Sequence, residues 1–79
     1  SAKSHNNIAT LYLAVGQGDT AARHFLRAIE LDPAYVTPRL NLGFYYRDAG
    51  KSDQAEEQFQ RAREIDPTHP ALREVPAVP

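Results

Sequence analysis

The chain of 79 residues has no cysteine, no methionine and no tryptophan. Without cysteine there is no disulfide staple, no thiolate metal ligand and no thiol nucleophile. That absence leaves the redox compartment open, because a secreted protein need not use cysteine. A start without methionine, and none elsewhere, fits a processed chain or an excised piece. No apolar run approaches the roughly 20 residues of a membrane span. Ser1-Ala2-Lys3-Ser4 does not open onto a signal-peptide hydrophobic run. Direct membrane insertion is therefore not expected. Nor is there an excess of one charge. Nine Lys+Arg face ten Asp+Glu, for a net charge of −1 with the three histidines neutral. In residues 36–79 five arginines and one lysine stand against seven acids. Without a basic stripe, no nucleic-acid partner is expected.

What is present is a globular composition, 42% hydrophobic and 24% charged, unlike that of a disordered chain. The length allows one domain at most, of a size that buries only about 60% of its unfolded surface.

The strongest signal is an internal period. A shift of 34 residues superposes Asn7 on Asn41, Tyr12 on Tyr46, Gly16 on Gly50, Asp19 on Asp53, Ala21 on Ala55 and Phe25 on Phe59. Arg27, Ala28, Glu30, Asp32 and Pro33 then fall on Arg61, Ala62, Glu64, Asp66 and Pro67, for eleven identities in all. The units are residues 2–35 and 36–69, which leaves Pro70–Pro79 over.

Each unit reads as two helices. His5–Val15 places Ile8, Leu11, Tyr12 and Val15 at the 3,4 spacing of one helical face. Gly16-Gln17-Gly18 breaks it, with Gly16 suited to positive φ after the last turn. Asp19 or Gly18 is the expected cap of a second helix, which runs to Leu31 and ends at Asp32-Pro33. In the second unit Thr37 is the expected N-cap with Pro38 at the first helical position. Gly50 stops that helix, and Ser52 is the expected cap of a last one over Asp53–Ile65. Leu40, Leu42, Phe44, Tyr45 and Tyr46 lie on more than one face, as on a helix flanked by others. Small residues at Ala9, Gly43, Ala21, Ala55, Ala28 and Ala62 allow close crossing, and Tyr12, Tyr46, Phe25 and Phe59 fill the space between. Glu57 and Arg61 are spaced for an i,i+4 ion pair.

The period and these residues resemble the tetratricopeptide repeat family. Asn41-Leu42-Gly43, Tyr46, Gly50, Ala55, Phe59, Ala62 and Pro67 follow its pattern in order. So do Asn7, Ile8, Tyr12, Gly16, Ala21, Phe25, Ala28 and Pro33. Ala9 stands where glycine is usual, and His5 and Arg39 replace a common large aromatic. The resemblance implies an all-α fold: helix-turn-helix repeats stacked as a short right-handed solenoid. It implies a concave surface on the first helix of each pair, lined by Lys3, Asn6, Thr10 and Leu13, then Thr37, Leu40, Phe44 and Arg47. It further implies that this surface binds a segment of a partner protein. Family members that clamp a chaperone's C-terminal carboxylate carry Lys at the Asn6 position and Asn at the Thr10 and Phe44 positions; this chain has none of them. Leu13, Leu40 and Phe44 beside Arg47 and Lys3 instead suit an apolar anchor with a nearby acidic group.

Repeat arrays need about three units and a cap. Pro70-Ala71-Leu72-Arg73-Glu74-Val75 begins a third first-helix, but Pro76 and Pro79 prevent its normal continuation. The tail is thus a partial capping turn or a disordered end. The alternative function is structural: a self-assembly element forming a homo-oligomer, by end-to-end stacking or by exchange of a helix pair.

Enzymatic chemistry is not expected. The histidines are His5, His24 and His69, without metal-ligand spacing, and Arg23 and Arg27 flank His24. Gly16-Gln17-Gly18 lacks the Gly-Lys-Ser/Thr ending of a phosphate loop. No cofactor is expected. Nothing in the residues names a compartment, and cytoplasm is only the base rate. Enlarging Ala28 or Ala62 to leucine should overpack the helix pair and cost about 1–3 kcal/mol, measured by urea unfolding.

Overall fold

In the computed structural model residues 1–75 are described, and all their long elements are α-helices. They are α1 (Ala2–Ala14), α2 (Gly18–Leu31), α3 (Thr37–Asp48) and α4 (Ser52–Ile65), followed by a 3-10 turn, Pro70–Glu74. α1 packs on α2, α3 on α4, and α2 joins the two pairs by packing on α3. The body measures 32 × 26 × 18 Å. The start and end of α2 and of α4 differ by 34 residues, so the sequence period reappears in the helix register.

The turns within the pairs are built alike. Gly16 and Gly50 both take φ +79°, which disfavours any residue with a Cβ. Gln17 N–H reaches back to Tyr12 O and Gly16 N–H to Leu13 O; Lys51 and Gly50 bond Tyr46 O and Arg47 O in the same way. This paired 6→1 and 5→2 bonding satisfies the last carbonyls of α1 and α3. It also moves the helix starts. α2 and α4 begin one residue before the expected positions, with Gln17 and Lys51 as N-caps and no side-chain cap bond from Asp19 or Ser52. Backbone carbonyls act instead, Gln17 O accepting from Ala21 N–H and Lys51 O from Ala55 N–H. Val36, not Thr37, caps α3, and Pro38 sits in its first turn, where a missing N–H costs nothing. α1 begins three residues earlier than its apolar periodicity, because the Ser1 hydroxyl accepts from Ser4 N–H at 3.2 Å. Between the pairs, the Asp32 carboxylate accepts from Ala34 N–H and its carbonyl from Tyr35 N–H.

The core has two centres. Ala9, Ala21, Phe25 and Leu42 are fully buried together, and Leu42 is the contribution of α3 to the core of the first pair. Leu40, Ala55, Phe59 and Ala62 form the second. Gly43 is a packing glycine: a Cβ there would meet the Phe59 ring at 2.6 Å. Gly18 has the same task between pairs, where a Cβ would collide with the Tyr45 ring.

The 3-10 turn lays Ala71, Leu72 and Val75 against the second core centre. His69 caps it through Nδ1, which accepts from Ala71 N–H at 3.1 Å. The expected capping or disorder of residues 76–79 lies outside the described residues. The expected Glu57–Arg61 pair is not made among the described residues. Arg63 instead reaches two turns back to Glu56 at 2.9 Å, on a half-buried face where solvent screens the pair less. Replacing Phe59 with alanine should cost about 3–5 kcal/mol in chemical unfolding. Gly43→Leu should be destabilising by about 1–3 kcal/mol, since the Phe59 ring must move.

Candidate functional site

α1 and α3 are the helices expected to line a surface. They are tied where Asn41 Nδ2 donates to Asn6 Oδ1 at 3.2 Å. Asn6 is 5% exposed, so its polar end serves this link rather than solvent. Lys3 is exposed and borders an open depression of roughly 700 Å³, together with Ser1, Leu31, Asp32 and Tyr35. Thr10 is exposed but donates its hydroxyl to Asn7 O at 2.7 Å. Leu13 is half-buried against the first core centre, and Thr37 is half-buried in the first turn of α3.

The remaining three candidates share one place. Leu40 is 3% exposed, in the core centre with Phe59 against which the tail packs. Phe44 is half-buried against the same cluster, meeting Phe59 edge-on at 5.1 Å between centroids. The Arg47 guanidinium covers the Phe44 ring at 5.0 Å, bonds Asp48 at 3.3 Å and donates to the Glu74 carbonyl at 3.5 Å. The side chain that stacks on Phe44 therefore also holds down the tail. Stacked cation and ring attract through the ring quadrupole, weakly at an exposed site.

Two polar contacts between helices have no obvious signal in the sequence. His5 Nδ1 and His24 Nδ1 lie 3.1 Å apart, joining α1 to α2, and Tyr12 stacks on His24 at 5.4 Å. One ring must donate and the other accept, so the pair holds one shared proton. His5 titrates below the ordinary histidine value of 6.5. Burial is the main cause, followed by repulsion from His24, the N-terminal ammonium and Arg27. In the second pair the matching positions are Arg39 and Gln58. Among the described residues these carry the two buried side-chain polar atoms without a partner, the donor Arg39 Nε and the acceptor Gln58 Oε1. Burial, then Arg61, lowers the Arg39 pKa, and Glu64 opposes the shift. The 34-residue shift could have flagged both positions, since it pairs polar with polar at His5/Arg39 and His24/Gln58.

No group of three or more metal-ligating side chains occurs among the described residues, and no described helix is long and apolar enough to cross a membrane. The geometry is that of paired helices presenting side chains outward. The sequence model of the family described as Tetratricopeptide repeat matches residues 1–68. The chain belongs to the tetratricopeptide repeat family. Among curated proteins, none matches the chain. Tetratricopeptide repeats are protein-binding scaffolds, and the all-α, sheet-free pairs described here have that architecture.

The histidine pair should make the first helix pair sensitive to acid. With the folded pKa of His5 lowered, the unfolded chain binds protons first. The stability this contact contributes is present above about pH 6.5 and is lost as pH falls through 6.5 toward the lowered folded value. Thermal melts across that window should show the loss. A His5→Arg/His24→Gln variant, which copies the residues of the second pair, should flatten it.

Proposed function

We propose that this chain is a protein-interaction module that captures a partner segment on the surface of α1 and α3. Two repeats, residues 2–35 and 36–69, present that surface with a right-handed stacking twist, and the turn Pro70–Glu74 follows as a partial cap. Lys3, Thr10, Leu13, Thr37, Phe44 and Arg47 make the contacts, while Asn6 and Leu40 hold the helices beneath them. The observation that carries the reading is the guanidinium of Arg47 on the Phe44 ring. It sets an apolar face beside a cation, which suits a peptide with one large apolar side chain near an acidic one. Shape and apolar contact supply most of the affinity, and the charge supplies direction. No catalysis, cofactor, nucleic acid or membrane insertion enters this reading.

A second reading, self-assembly through the ends of the stack, is favoured by one observation. Ile8 and Leu11 on α1, and Val15 just after it, are exposed large apolar residues.

Selection from a displayed peptide library should enrich sequences with an apolar residue close to Asp or Glu. Arg47→Glu loses the Phe44 and Glu74 contacts and sets a carboxylate beside Asp48, so it should lower the melting temperature modestly with helicity retained. It should weaken the selected peptides at least tenfold, about 1.4 kcal/mol, in fluorescence anisotropy. Selected peptides that bind Arg47→Glu equally well would overturn the capture reading.

A further inference from the structure

The apolar stripe on α1 has a covered counterpart inside the same molecule. Shifted by 34 residues, Ile8 and Leu11 become Leu42 and Tyr45. Leu42 is fully buried in the core of the first pair, whereas Ile8 is 38% exposed. Tyr45 lies over Gly18, whereas Leu11 is 68% exposed. The helix that covers Leu42 and Tyr45 is α2, through Gly18, Ala21 and Phe25. The same shift turns these three into Ser52, Ala55 and Phe59 of α4. One chain therefore carries both halves of the α2–α3 interface again, the insert on α1 and the receptor on α4, at opposite ends of the stack.

We infer that α1 of one molecule docks on α4 of a second copy in the register of the internal α2–α3 interface. This deepens the self-assembly reading and rests on it. The contact is heterologous, so it leaves a free α1 and a free α4 at the ends and extends rather than closes. The tail competes for the same ground. Pro70–Val75 correspond to Val36–Asn41 and also to Ala2–Asn7, so the 3-10 turn occupies on α4 the place of the first turns of an incoming α1. The receptor residues Ala55 and Phe59 are 3% and 2% exposed in the single molecule, covered by α3 and the turn. Docking displaces the turn, whose anchors are Ala71, Leu72, Val75 and the Arg47 contact to Glu74.

The register is testable because the chain has no cysteine of its own. Leu11 of one copy should lie against Ser52 of the next, as Tyr45 lies against Gly18. Both positions are exposed in the single molecule. Leu11→Cys and Ser52→Cys proteins are prepared separately, mixed at high concentration and treated with a short bis-maleimide. Light scattering over a hundredfold concentration range reports self-association independently. The expected result is a mass that rises with concentration and a mixed Leu11–Ser52 crosslink exceeding either homodimer. Adding Ile8→Lys to the Leu11→Cys protein should abolish the crosslink with helicity retained. Substituting Leu72 and Val75 with serine should increase it. Self-association with a Leu11–Leu11 crosslink instead would overturn the docking register but leave self-assembly standing. A monomer at every concentration without crosslink, in the starting chain and in the Leu72/Val75 variant alike, would overturn both.

Discussion

The structure depends on volume matching at helix crossings. Wherever two helices approach closely, one side lacks bulk and the other supplies an aromatic ring. Gly43 of α3 faces Phe59 of α4, Gly18 of α2 faces Tyr45 of α3, and Ala9 of α1 packs with Phe25 of α2. These contacts set helix separation within each pair and between pairs, and hence which side chains reach the surface. Phe44 reaches it because Phe59 fills the space behind. Interiors packed at crystal density transmit such choices over several residues.

Repetition is why so much of the fold was legible. A single helix with Leu-Tyr-Leu or Phe-Tyr-Tyr is ambiguous, but Gly16/Gly50 and Pro33/Pro67 at one spacing locate the breaks independently of propensity. The errors were local. Side-chain preference points to caps at Asp19 or Gly18, Thr37 and Ser52, but the bonded glycine turns and Val36 fix the helix starts through backbone groups. Apolar periodicity missed the first turn of α1, because Ala2, Lys3 and Ser4 carry no stripe and only Ser1 marks the start. The candidate surface was legible as helix faces rather than as contacts. Spacing places Leu40 and Asn6 on the lining face; whether they meet solvent depends on Phe59, the tail and Asn41, which are distant in sequence.

The two pairs share one frame but differ in what links their helices. In the first pair the polar link is two imidazoles sharing a proton, backed by Tyr12. In the second, Arg39 and Gln58 stand in those places, and Arg39 carries a charge that does not come and go near neutral pH. Repeats that look equivalent in outline thus respond differently to solution conditions. The second pair also carries the tail and the stacked Arg47, so surface chemistry gathers at one end.

Leu42 has a further consequence. It belongs to α3 by sequence and to the first pair by packing, where it completes the buried set of Ala9, Ala21 and Phe25. Neither pair closes its own interior without the other: the first would be left with a void, and the second with a bare leucine in water. A twofold period in sequence therefore does not produce two independent melting units. The shared side chain couples them into one cooperative transition, so nearest-neighbour coupling rather than repeat number sets the smallest stable piece.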